Sequence, residues 1–213
     1  MILDLFVIYL YGLKYISIGL LVLMFLFGLD DLFIDIYYWS RTLVRRMTIY
    51  RKFPRADSKR LYEEDQRPIA IMVPAWQEVG VVGPMAKSAA ENIDYENYEI
   101  FVGTYPNDDA TQADVDAVCA RFEHVHKVVC ALPGPTSKSD CLNNIIASII
   151  EFEKLNHVKF SGFVLHDAED MISPMELRLF NYLLNDNDLI QIPVYPYVPS
   201  GLNPTASHYA DEF

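Results

Sequence analysis

The sequence predicts an α/β domain with a mostly parallel sheet, preceded by one transmembrane helix. Three observations carry that prediction. Residues 5–29 hold a single ionisable side chain, Lys14, in an otherwise apolar stretch. From residue 69 onward, short apolar runs alternate with helical stretches of roughly 10–15 residues, the mark of right-handed βαβ units. One of those runs, Phe163-Val164-Leu165, delivers Asp167, Glu169 and Asp170 to a point just past a strand.

The amino-terminal stretch is long enough to span. At about 1.5 Å per helical residue it exceeds a hydrocarbon core of roughly 30 Å. A cleaved signal is disfavoured, because Asp4 sits at the start and Gly28-Leu29-Asp30-Asp31 is no cleavage site. Lys14 costs about 3 kcal/mol at mid-bilayer, so it is expected to snorkel outward or face a partner helix. Between residues 41 and 60, Arg41, Arg45, Arg46, Arg51, Lys52, Arg55, Lys59 and Arg60 stand against Asp57 alone. The positive-inside rule then puts the amino terminus outside and everything after residue 40 in the cytoplasm. Tyr37, Tyr38 and Trp39 fit an aromatic belt, and residues 36–53 read as lying along the headgroups. The expected organisation is a transmembrane helix over 1–36, a basic interfacial segment and linker over 37–65, and the α/β domain over 66–213.

Charge reverses past residue 60: 24 acids face 8 basic residues in 61–213. Such a domain does not bind nucleic acid non-specifically. Cys119, Cys130 and Cys141 form no Cys-x-x-Cys and leave an odd count, which fits a reducing compartment.

Pro68 closes the linker, and Ile69–Val73 reads as a buried strand. A helix follows over 78–92, weakened in its first turns by Gly80, Gly83 and Pro84. Tyr98–Thr104 is the second strand and Ala110–Phe122 the second helix. Lys127–Ala131 is the third strand, and Ser139–Lys154 a long apolar helix. Phe160–His166 is the fourth strand, Pro174–Leu184 its helix, and Leu189–Val194 a fifth strand. Thr205–Phe213 reads like the opening of another helix, so the sequence reads as a piece of a longer protein whose domain continues.

In extended chain Asp167 and Glu169 share a face, which suits a hard divalent cation that also holds phosphates. The carboxyl end of a strand is also where open α/β sheets bind ligands. The same acids equally fit a loop that caps the following helix. Lys138 opens a helix, where a cation is disfavoured unless an anion binds there too. Glu78 is either a first-turn acid or a nucleotide contact. Asp108 and Asp109 read first as helix caps. His166 fits either a residue that supports the acids from behind or a plain strand-end histidine, with the latter preferred, and His124 and His126 read as surface residues on one strand-like face.

Four motifs in order resemble the family-2 glycosyltransferases. Val73-Pro-Ala-Trp-Gln-Glu78 is similar to the family's Pro-Ala-x-Asn-Glu, and Thr104-Tyr-Pro-Asn-Asp-Asp-Ala-Thr111 to its Asp-Asp-Gly-Ser-x-Asp-x-Thr. Ser137-Lys-Ser-Asp-Cys-Leu-Asn143 is similar to Gly-Lys-x-x-Ala-Leu-Asn, and Asp167-Ala-Glu169-Asp170 to the metal-binding Asp-x-Asp. The resemblance implies a GT-A fold, with a Rossmann-like, mostly parallel sheet. It implies that Pro74, Ala75, Glu78, Thr104, Asp109, Lys138 and Asp167 hold a nucleotide sugar. It also implies that Asp167, Glu169 and Asp170 hold Mg²⁺ or Mn²⁺. Two departures stand out: Thr104 replaces the family's first acid, and Glu169 replaces the second Asp of Asp-x-Asp. The general base is expected beyond Phe213, and the Gln-x-x-Arg-Trp of membrane synthases is absent, since the tryptophans are Trp39 and Trp76.

Asp30–Trp39, His166–Arg178 and Leu189–Tyr195 further resemble bacterial inner-membrane members of that family. This implies a membrane enzyme that builds a secreted polysaccharide by inverting transfer from a nucleoside-diphosphate sugar, of the UDP type. It implies an outer-membrane export or receptor partner, and cyclic di-GMP control through a carboxy-terminal domain outside this sequence. Two rivals stand beside it. One is a non-catalytic scaffold of a receptor or export complex. The other is a membrane-anchored phosphotransferase with Asp167 as nucleophile, which needs a phosphate-binding glycine-rich loop not evident here.

Overall fold

The computed structural model describes residues 2–52 and 57–194, with side chains from residue 6 onward. Arg55 and the helix expected over Thr205–Phe213 lie outside the described residues. The chain divides into two units, residues 1–56 and 57–213.

The first unit is one long helix, α1 (Ile2–Met47), followed by a single turn, α2 (Ile49–Lys52). Its most apolar window has a mean hydropathy of 2.1 and is 0% buried, so the helix is long and apolar enough to cross a membrane. No break occurs at residue 36. Ser40 Oγ donates to the Ile36 carbonyl at 2.6 Å, and Arg41 lies 5.9 Å from the centre of the Tyr37 ring. Arg45 and Arg46 fall in the last turn, where cations complement the helix dipole.

The second unit opens with α3 (Ser58–Glu63), capped by Asp57, whose carboxylate accepts from Arg60 N at 3.0 Å. There follow β1 (Ile69–Pro74), α4 (Val82–Asn92), β2 (Tyr98–Thr104), α5 (Asp109–Cys119), β3 (Val125–Val129), α6 (Lys138–Asn156), β4 (Gly162–Leu165) and α7 (Glu176–Leu183). The four strands form one parallel sheet in the order β3-β2-β1-β4. The chain thus runs outward from β1 to β3, then crosses back to lay β4 on the other side of β1.

Both faces of the sheet are covered, which is why β1 and β2 read as near-continuous apolar runs. Alternation within each strand divides the core. Ile69, Ile71, Val73, Ile100 and Val102 face the cluster completed by Val82, Ala86, Val115, Leu177 and Phe180. Ala70 and Phe101 face the opposite cluster, with Cys141, Ile145, Ile149 and Phe160. Burying a side chain such as Ile145 or Ile149 contributes about 1.5–3 kcal/mol. α6 seats closely because β2 offers no side chain at Gly103, where a Cβ would lie 2.5 Å from Cys141 Sγ.

Several expected elements shift. α4 starts at Val82 because Gln77 and Gly80 take positive φ (56° and 74°) and hold residues 77–81 in a turn. α7 starts at Glu176, after a turn in which Glu176 N donates to Ser173 O. β3 lies two residues earlier than expected, in register with Ile100–Thr104. The run Leu189–Val194 is not a strand. Ile190 and Ile192 pack on the core, but the run joins no ladder, and Pro193 lacks an N–H to donate.

His124 and His126 are half-buried rather than surface residues, and they share no face. His124 precedes β3 and packs 4.9 Å from Tyr98, while His126 packs against Phe101 and Phe152 and meets Glu99 at 2.7 Å. The two-residue period that would align them begins only with the strand itself.

Candidate functional site

The strand order creates a crevice at the carboxyl ends of β1 and β4, where the chain reverses direction across the sheet. In open α/β sheets such a switch point is where ligands bind. A cleft of ≈ 370 Å³ lies there, lined by Pro74, Ala75, Trp76 and Glu78 after β1 and by Tyr105 after β2. Thr136, Lys138 and Cys141 line it from the start of α6, and Asp167, Ala168 and Glu169 from the turn after β4.

Each wall has a local cause. Ala75 N donates to Gly103 O at 2.9 Å, which continues the β1–β2 ladder past Pro74. Trp76 stands edge-on to Tyr105 at 5.0 Å and lies against Gly134, where a Cβ would come within 2.3 Å of its ring. Tyr105 in turn meets Thr136 Oγ1 at 2.8 Å. Gln77 adopts left-handed backbone, and its N–H reaches the Asp108 carboxylate at 2.7 Å. Asp108 also caps α5 by accepting from Thr111 N at 3.3 Å, so one buried acid ties the β1 loop to a helix start. Glu78 precedes α4 and therefore is not a first-turn acid; it faces the cleft.

Lys138 is the first residue of α6, which Ser137 caps by accepting from Asp140 N at 3.1 Å. Its ammonium donates to Asp167 Oδ1 across the cleft. Both side chains are about half exposed (51% and 52%), so the contact is open to exchange with a ligand.

The acids do not leave β4 in extended chain. Asp170 N donates to Asp167 O at 3.2 Å and closes a turn, and the Asp170 carboxylate accepts from Asp167 N at 2.8 Å. Asp167 and Glu169 still both face the cleft, but through the turn rather than through strand alternation. Asp170 points elsewhere, with Oδ2 3.1 Å from His166 Nδ1.

Behind the turn, His166 is 9% exposed and Glu176, at the start of α7, 7%. His166 Nε2 lies 2.8 Å from Glu176 Oε1, close but off the hydrogen-bond axis, so neither atom has a directed partner. Burial pulls the imidazole pKa down, but the carboxylates of Glu176 and then Asp170 beside it outweigh burial and leave it raised. His166 follows β4 and touches both the acid turn and α7. One sign of this was legible in the sequence, an acid four residues after a histidine that ends an apolar run.

Of the residues expected to bind nucleotide, the structure brings Pro74, Ala75, Glu78, Lys138 and Asp167 to one cleft. It does not bring Thr104 or Asp109. Thr104 is fully buried and donates to Val128 O at 3.3 Å, and Asp109 is exposed on the first turn of α5. Among the described residues no group of three or more His, Cys, Asp or Glu side chains is arranged to hold a metal ion.

The model of the glycosyltransferase-like family 2 matches residues 66–213. The chain belongs to that family. It is 61% identical over 211 residues to the bacteriophage adsorption protein B of Escherichia coli K12, and equally to the bacteriophage N4 adsorption protein B of E. coli O157:H7. The match covers 99% of this chain but 28% of each relative, so the chain spans a little over a quarter of their length. Family membership agrees with the parallel sheet.

Proposed function

We propose that this chain binds a nucleoside-diphosphate sugar between β1 and β4, as the donor half of an inverting glycosyltransferase anchored in the bacterial inner membrane. The observation that supports it most is the meeting of Lys138 and Asp167 across the cleft. Lys138 stands at a helix start, where free N–H groups and the positive helix end attract an anion. Asp167 is the anion paired with the Lys138 ammonium. A diphosphate would take over Lys138 and free the Asp167 carboxylate.

Asp167 and Glu169 are hard oxygen donors on the wall opposite Lys138. Two protein carboxylates suit Mg²⁺ or Mn²⁺, which take remaining ligands from phosphate and water. When bound, such an ion supplies Lewis-acid charge neutralisation at the departing diphosphate. Lys138 adds positive charge there, and Trp76, Tyr105, Pro74 and Ala75 offer apolar walls for the nucleoside. The base that takes the acceptor's proton is placed downstream of Phe213, and the product is read as a secreted polysaccharide passed to an outer-membrane partner.

A second reading, a glycosyltransferase-like scaffold of a phage-receptor or export complex, is favoured by the relatives' names as phage adsorption proteins and by the burial of Thr104. Calorimetric titration of UDP into the full chain in detergent, with Mn²⁺ and then EDTA, separates the two. Metal-dependent binding that disappears in Asp167→Asn supports the enzyme. No binding by a folded protein supports the scaffold.

A further inference from the structure

Two ionisable residues buried together at the end of β4 invite an account beyond stability. Taking His166 and Glu176 out of water is costly, and an apolar pair of similar size often serves stability as well or better. What the pair adds is direction. Glu176 holds one side of the imidazole at 2.8 Å, and the other side, Nδ1, lies 3.1 Å from Asp170 Oδ2. That same oxygen accepts the Asp167 backbone N–H at 2.8 Å. His166 is itself pinned to the sheet, its N–H donating to Met72 O at 3.1 Å. A continuous chain of contacts thus runs from α7 through the imidazole and Asp170 to the backbone of Asp167.

We propose that His166 and Glu176 are positioning residues for the acid turn. Through Asp170 they fix the turn so that Asp167 and Glu169 face the cleft together. The inference rests on the reading of Asp167 and Glu169 as the residues that meet metal and diphosphate. Without the imidazole the turn keeps the Asp170 N to Asp167 O hydrogen bond, the exposed Lys138 contact, and the Asp167 N–H on an Asp170 carboxylate that nothing holds from behind. Residues that orient metal ligands from behind change metal affinity by about 10–100-fold when removed.

The test is the affinity of the full chain in detergent for Mn²⁺ in the presence of UDP, read from the electron paramagnetic resonance signal of free Mn²⁺. His166→Leu removes the ring contacts, while His166→Asn keeps a donor where Nδ1 stands. Glu176→Gln loosens the ring from α7 at a distance from the cleft and serves if His166→Leu fails to fold. His166→Leu and Glu176→Gln are expected to weaken UDP-dependent Mn²⁺ binding by about 10–100-fold, with His166→Asn restoring most of it. Wild-type affinity in both His166→Leu and Glu176→Gln, beside complete loss in Asp167→Asn, overturns the positioning role and leaves the donor site standing. Equal losses in His166→Leu and His166→Asn overturn it too, since the donor would then not matter. Absence of UDP-dependent Mn²⁺ binding in the wild-type chain removes the donor reading itself, and the positioning role with it.

Discussion

Gly103 and Cys141 touch so closely that a Cβ on the glycine would lie 2.5 Å from the sulfur, and 2.8 Å from Ile145 Cδ1. This contact sets how near the start of α6 comes to the end of β2, and so where Lys138 meets the cleft. Gly103→Ala must push the helix outward or force buried side chains from their rotamers, at a cost of about 1–3 kcal/mol. Thermal unfolding in detergent should show a clear fall in melting temperature, partly relieved by adding Cys141→Ala. An unchanged melting temperature would show that α6 is not seated as described.

Lys138→Met tests the ammonium separately from the fold. Charge-assisted hydrogen bonds contribute about 1.5–3 kcal/mol, so UDP affinity should fall by roughly 10–100-fold. Its melting temperature should stay close to wild type, because the contact with Asp167 is half exposed and such pairs contribute about 0–1 kcal/mol. Calorimetry that finds full UDP affinity in this variant would place the diphosphate elsewhere.

Acid should loosen the strap between α3 and α7. The Tyr62 hydroxyl and then Arg178 hydrogen-bond Asp94 and hold its carboxyl below the ordinary 3.8, while the Arg178 guanidinium lies 4.0 Å over the Tyr62 ring. A depressed folded-state pKa contributes stability above the unfolded value, lost as pH falls from 3.8 through the folded value. Melting temperature measured from pH 5 to pH 2 should therefore fall less steeply in Asp94→Asn than in the wild-type chain. Parallel curves would contradict the strap's electrostatic contribution.

The three thiols should resist alkylation. Burial pushes Cys130 from 9.0 up to about 12, and raises Cys119 and Cys141 as well. Thiolate at Cys130 is then about a thousandfold scarcer, since each pKa unit is tenfold, and the thiolate is the nucleophile. Iodoacetamide at pH 8 should label the unfolded chain quickly and the native chain slowly. Rapid native labelling of Cys130 would sink this account.

Much of the architecture was legible because burial on both faces leaves a plain apolar signal. Tyr98–Thr104 matches β2 end for end, and Asp108 caps α5 as its type and place suggested. Several of the failures share a cause, since they depended on partners distant in sequence. Residues 189–194 have the composition of a strand, but strands exist only where a neighbour supplies a ladder. The β3 boundary follows its register with β2, not its own apolar pattern. Asp167 and Glu169 share the cleft through a turn closed by Asp170, and His166 meets its carboxylate neighbour Glu176 on α7. Neither pairing has a local period to betray it. The backbone angles at Gln77 and Gly80, by contrast, had a partial sign in the glycines that weakened the expected helix start.

The strand order also dictates when the cleft comes into being. β1, β2 and β3 are joined by short crossovers and pair with near neighbours in the chain, whereas β4 must return past all of them to reach Ile69 through Gly162. Pairings that close longer loops pay more entropy before they are rewarded, and they form later. As the chain leaves the ribosome, Pro74, Trp76, Glu78 and Lys138 are laid down first. Asp167 arrives with β4, so Lys138 acquires that counter-charge only when β4 joins β1.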